Sequence, residues 1–163
     1  MNLDSFKLDE LLFTAIKSEI DSNKLYRKIA KKTLNGLLQD KLEFLAKEEK
    51  KHQEFIEDIY KNHYPEEKIK LPNETIVPMP KIEFDEEMPV SKLLGMAMKA
   101  EEKSSDFYKS LAGRFESGSK IHNTLLYFAD MEKGHYKILE VEKESMERFE
   151  EADVYWPMVH VGP

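Results

Sequence analysis

The chain contains no cysteine among its 163 residues. That absence excludes a disulfide framework, a thiolate zinc site and any iron–sulfur centre held by thiolates. An excess of basic charge is also missing: 25 Lys and Arg stand against 32 Asp and Glu, for a net charge of −7. This balance argues against nucleic acid or an anionic membrane as partner, because phosphate surfaces select positive charge. No apolar run approaches the length of a membrane span, and the first residues lack the apolar centre of a signal peptide. The cytoplasm is therefore the expected compartment. What the chain holds in quantity is charge, 35 % of residues against 40 % apolar, a mixture that suits amphipathic helices around one core. At this length a single domain is expected over residues 1–163.

After a short lead-in, Leu8, Leu12, Ala15, Ile16, Tyr26, Ile29 and Ala30 recur at helical spacing and predict a helix over about Asp9–Thr33. Asn35-Gly36 reads as its stop, since both residues tolerate the left-handed conformation of a helix C-terminus. A second helix over about Leu37–Lys61 carries the stripe Leu38, Leu42, Leu45, Ile56 and Ile59, and so short a connection makes the two antiparallel neighbours. Residues 63–89 hold five of the seven prolines (Pro65, Pro72, Pro78, Pro80, Pro89), which excludes an ordinary helix. A long ordered crossover is expected there, with Ile69, Leu71, Ile76, Val77, Ile82 and Phe84 available to dock on helices. Pro89 and Ser91 open a third helix that runs to about Phe115. Gly118 breaks that helix, and Ser119 can cap a fourth helix that ends near Glu150. The tail, about 152–163, is apolar, contains the only tryptophan, Trp156, and is expected to pack along the bundle or against another subunit.

The two halves repeat. Ala15, Glu19 and Tyr26 match Ala97, Glu101 and Tyr108 at a shift of 82, and Ala46, Glu49 and His52 match Ala129, Glu132 and His135 at a shift of 83. Each half is thus a helical hairpin with a Glu on its first helix and a Glu-x-x-His on its second. Two hairpins and a crossover give an all-α four-helix bundle.

Glu19, Glu49, His52, Glu101, Glu132 and His135 each lie on an apolar stripe near the middle of a helix, so all six point at one level of the core. Four carboxylates in a low dielectric would lose hydration and repel, at a cost of several kcal/mol per unpaired ion. Raised pKa values are one answer. Two divalent cations are a better one, and carboxylate oxygen with imidazole suits iron, manganese or zinc. Glu49 and Glu132 are placed to bridge two metals, Glu19 and Glu101 to hold one each, and His52 and His135 to cap one each. Tyr26 and Tyr108, two turns after Glu19 and Glu101, can hydrogen-bond ligand carboxylates. Core packing with a hydroxyl at the rim is an equal reading of both.

The motifs A-x-x-x-E-x-x-x-x-x-x-Y and A-x-x-E-x-x-H, each present twice, resemble the rubrerythrin branch of the ferritin-like superfamily over roughly residues 8–150. The resemblance implies a ferritin-like bundle and two iron ions per chain on the six residues named. It also implies reaction with hydrogen peroxide or dioxygen. Full-length rubrerythrins carry in addition a rubredoxin domain with four cysteines. With none here, the electron donor is expected to be a separate protein. Family members often place a further Glu one turn after the third-helix ligand. Here that position is Ser104, with Ser22 as its repeat mate, so an exchange of ligands between that Glu and a histidine is not open to this chain and a more symmetric site is expected.

Other residues read more plainly. His63, His122 and His160 lack a partner at ligand spacing and read as surface or tail residues, and Met96, Met98, Met131 and Met146 as core filler. The runs Glu48–Lys51 and Glu140–Glu151 read as solvated faces with internal ion pairs. Phe13, Ile20, Phe44 and Phe55 lie off the stripes and suggest a homodimer or higher homo-oligomer, in which swapped hairpins would use the same ligands. The functions that fit are a di-iron oxidoreductase, a ferroxidase or iron-storage protein, and a structural bundle with a remnant site.

Overall fold

A computed structural model of the protein describes residues 1–73, 75, 77, 79–80 and 84–155, with the backbone alone for 153–155. Its helices are α1 (Leu8–Lys32), α2 (Gly36–His63), α3 (Val90–Ala112) and α4 (Lys120–Tyr155), with no strand among the described residues. α1 packs chiefly on α2 and α3 chiefly on α4, and the two hairpins then meet across the core. The expected all-α four-helix bundle is present.

Local chemistry accounts for most helix ends. The Lys7 backbone N–H donates to the Glu10 carboxylate at 2.9 Å, and the first turn of α1 carries Asp9 and Glu10 while its last carries Lys31 and Lys32, each sign favourable to the helix dipole. Asn35 does not stop α1 in a left-handed conformation. Its φ is −82°, and its side chain accepts from the Leu38 N–H at 3.2 Å, so it opens α2 instead. Gly118, at φ +81°, is the one described residue that uses the left-handed region. Ser119 caps α4 as expected, its hydroxyl accepting from the His122 N–H at 3.2 Å.

α4 runs past Glu150 to Tyr155, and its acidic run is not wholly solvated. Glu142 is buried and pairs with Lys41 of α2. Glu150 accepts from the Ser91 backbone N–H at 3.1 Å and from the Ser91 hydroxyl, and so caps α3 from another helix. Glu48 is likewise near the burial of the core, paired with Lys51 at 2.5 Å.

α2 and α3 run parallel, so residues 64–89 must travel the length of the bundle. Ile69 and Val77 dock at the end where α2 finishes, and Phe84 docks at the end where α3 begins. Leu71 stays on the surface; Ile76 and Ile82 lie outside the described residues, as do Trp156 and His160 of the tail. Phe13, Ile20 and Phe55 are partly buried against the core, leaving Phe44, half exposed, of the four residues expected on an outer face. Arg114 fastens the lead-in by donating to the carbonyls of Leu3 and Phe6, both at 2.9 Å.

The apolar core is in two parts. One gathers Leu11, Leu12, Ile16, Ile56, Phe107 and Leu111; the other gathers Ile29, Leu38, Leu42, Leu45, Leu94 and Leu139. Leu42→Ala, at a site with no exposure, is expected to cost about 2–5 kcal/mol by chemical denaturation, with helix content unchanged in the folded baseline.

Candidate metal centre

Between the two apolar parts lies a polar layer. Glu19 comes from α1, Glu49 and His52 from α2, Glu101 from α3, and Glu132 and His135 from α4; none is more than 4 % exposed. All six expected residues therefore converge, and one chain supplies them all. Their donor atoms form two overlapping groups, Glu19, Glu49, His52 and Glu132, and Glu49, Glu101, Glu132 and His135, with the atoms of each group within 4.8 Å of one another.

The two carboxylates shared by both groups divide their oxygens. Glu49 sets Oε2 3.5 Å from His52 Nδ1 and Oε1 3.0 Å from His135 Nδ1. Glu132 sets Oε1 3.1 Å from His52 Nδ1 and Oε2 3.3 Å from His135 Nδ1. The other two are terminal: Glu19 Oε2 lies 3.6 Å from His52 Nδ1, and Glu101 Oε2 lies 3.5 Å from His135 Nδ1. The imidazole rings stack at 5.9 Å between centroids, and Phe128 covers His52 at 4.1 Å.

These contacts lack hydrogen-bond alignment. Glu49 Oε1, both nitrogens of His52, Glu101 Oε2, both oxygens of Glu132 and His135 Nδ1 are buried without a hydrogen-bond partner, and no other described side chain has such an atom. Buried polar atoms are ordinarily satisfied. Here oxygen and imidazole donors converge on a shared interior, a donor set that divalent iron, manganese or zinc would satisfy.

The first-helix tyrosines complete the layer across the hairpins. The Tyr26 hydroxyl of the first hairpin donates to Glu101 Oε1 of the second, and the Tyr108 hydroxyl of the second donates to Glu19 Oε1 of the first. Both phenols are fully buried, so the reading of rim packing fails for them. Burial, then the adjacent carboxylate, holds each well above its usual pKa, and both stay protonated.

The family model for rubrerythrin matches residues 10–143. This chain belongs to the rubrerythrin family. Among solved structures it is similar to a hypothetical protein from Pyrococcus furiosus, at 33 % identity and a TM-score of 0.79, covering 91 % of this chain and 98 % of that one. No curated protein matches it. The bundle is thus the ferritin-like fold, and the rubrerythrin match with the buried carboxylate–histidine layer is compatible with a di-iron centre.

Two residues of this rubrerythrin-family layer escaped the sequence reading. Asn23 Nδ2 donates to the Ala46 carbonyl at 2.5 Å, and Ser105 Oγ donates to the Ala129 carbonyl at 2.8 Å. Asn23 and Ser105 are repeat mates at the shift of 82, and each holds the alanine that precedes a Glu-x-x-His by three residues. The small alanine lets the helices approach, and the polar side chain sets the level at which the second-helix donors enter the core. Ser104, where other family members often have a carboxylate, is buried and contributes only a hydroxyl.

Without metal the layer balances its charge with protons. Burial, then Glu49, raises Glu19, and burial, then Glu132, raises Glu101, both well above the carboxylate range. Burial pushes Glu49 and Glu132 upward too, but contacts with the neighbouring acid and both imidazoles outweigh it and hold them low. Burial lowers His52, yet Glu132, Glu19 and Glu49 overcome it and push it up to about 12; His135 is raised in the same way by Glu101, Glu132 and Glu49. Burial and crowding thus favour the protonated form of Glu19 and Glu101, and the surrounding carboxylates favour the protonated form of His52 and His135.

The raised groups stabilise the metal-free fold below their unfolded pKa values and lose that contribution as pH climbs through the folded ones. Metal must displace the same protons. Uptake of a divalent metal is therefore expected to tighten as pH rises through neutrality and to release protons, seen as a calorimetric heat that varies with the ionisation enthalpy of the buffer. Asn23→Ala and Ser105→Ala are each expected to lower metal affinity, read by calorimetry, while circular dichroism keeps its helical signal, since each side chain holds the turn before a Glu-x-x-His and touches no ligand itself.

Proposed function

We propose that this rubrerythrin-family chain holds two iron ions on Glu19, Glu49, His52, Glu101, Glu132 and His135 and reduces hydrogen peroxide or dioxygen with electrons from a separate donor protein. The observation that carries the reading is the division of oxygens by Glu49 and Glu132, each with one oxygen toward His52 and one toward His135. Carboxylates so placed suit two cations side by side. Glu19 with His52 serves one end of the pair and Glu101 with His135 the other. Manganese would also fit the donor set and can change oxidation state; zinc would fit but cannot.

Bound ferrous ions would supply the two electrons and the electrophilic sites that cleavage of a peroxide O–O bond requires. Reduction of hydrogen peroxide to two waters would use those two electrons and two protons drawn from solvent. The rest is the chain's own work. Tyr26 and Tyr108 hold a proton on Oη against one oxygen of Glu101 and of Glu19, leaving the second oxygen of each free to face the interior. Phe128 and the two apolar parts of the core exclude water on either side of the layer. Ser104 adds no seventh donor, so the carboxylate set stays symmetric between the hairpins.

The same Ser104 favours a second, narrower reading, in which the chain binds and oxidises iron and then releases it without peroxide turnover. Rapid mixing separates the outcomes. Anaerobic ferrous protein is expected to be oxidised by peroxide or dioxygen faster than free ferrous iron in the same buffer, and to repeat the cycle when a reductant is supplied; one round followed by iron release marks the ferroxidase. Glu49→Ala and Glu132→Ala are each expected to lower bound iron by about tenfold or more with helicity retained. Oxidation no faster than free iron, or iron content unchanged in both variants, overturns the proposal.

A further inference from the structure

α1 turns a second polar face away from the layer. Lys17, Lys24 and Lys28 follow one another along it at intervals of seven and four residues, the spacing of one helix face. Asn73, Thr75, Met79, Pro80 and Phe84 of the crossover line with this face a cleft of about 420 Å³, a size that suits a small molecule. Among the described lining residues three ammonium groups meet one carboxylate, Asp21, which pairs with Lys17. The described lining of the cleft therefore carries a net positive charge on a chain whose net charge is −7. Its apolar lining comes from Leu25 of α1 together with Met79 and Phe84 of the crossover. The two chemistries adjoin where Lys28 Nζ stands 5.3 Å from the centre of the Phe84 ring. Ser22 adds a hydroxyl to the floor one turn beyond Glu19, and Ala100 places the cleft beside Glu101, at the level of the polar layer.

We infer that this cleft binds a small amphipathic anion, with a carboxylate or phosphate head on Lys24 and Lys28 and an apolar body against Leu25, Met79 and Phe84. Concave enclosure by the crossover favours a small molecule over a protein surface, and a bare inorganic ion would leave the apolar wall unused. The inference stands on the cleft alone and not on metal at the layer.

The test is calorimetric titration of the full chain, metal-free, with decanoate, flavin mononucleotide and inorganic phosphate. Either or both of the first two are expected to bind with a Kd below about 1 mM, about tenfold or more tighter than inorganic phosphate. Which of them binds tells a carboxylate head from a phosphate head. The Lys24→Ala/Lys28→Ala double variant is expected to weaken that binding about tenfold or more, and added salt to weaken it in the native chain. Phe84→Ala is expected to weaken the same probe while leaving inorganic phosphate unaffected. Absence of binding by both organic probes, equal binding of inorganic phosphate, or affinity unchanged in the lysine double variant overturns the inference. Because the protein is metal-free throughout, any of these results leaves the reading of the metal centre intact.

Discussion

Four carboxylates and two imidazoles share one dehydrated layer, and the rest of the bundle is arranged around the cost of putting them there. An unpaired ion in such a place costs several kcal/mol. The layer meets that cost with protons, with mutual contacts among Glu49, Glu132, His52 and His135, and with two tyrosine hydroxyls brought from opposite hairpins. It also divides the apolar core into two parts, each built from the first half of one helix and the second half of its antiparallel neighbour. Those parts supply the hydrophobic drive that the layer itself cannot.

The repeat explains why the layer is level. Asn23 and Ser105 hold equivalent alanine carbonyls, so both Glu-x-x-His turns enter the core at the same height. Ligand spacing along one helix sets which face a side chain takes; contacts between helices set how far along the axis it arrives. The centre needs both, and the polar pair on the first helices provides the second.

Much of this was open to a reader of the sequence. Periodic Leu, Ile and Ala stripes placed four helices, and two Glu-x-x-His pairs in register with Glu19 and Glu101 singled out the six donors that the fold brings together. What escaped depends on neighbours distant in the chain. Asn35 resembles a helix stop and is a helix start, because either role uses the same residue and only φ decides. Glu142 and Glu150 sit in an acidic run that looks solvated, yet Lys41 and the start of α3 come to them from other helices. Asn23 and Ser105 differ in type, which hid a correspondence that the shift of 82 would have shown. The lysine-lined cleft exists only because the crossover takes its course over α1, and proline-rich segments carry little periodicity from which to read a course.

The reciprocal tyrosine bonds bear on how the molecule comes together. In a lone hairpin the helix faces that carry Glu19 and Tyr26, or Glu101 and Tyr108, would lie open to water, because the other hairpin is what covers them. Docking the hairpins without exchanging these bonds would bury donors and acceptors unmatched, at a cost of about 1–3 kcal/mol each. Burial of the layer and exchange of the tyrosine bonds therefore belong to one step, and assembly is complete only when the two hairpins have made both.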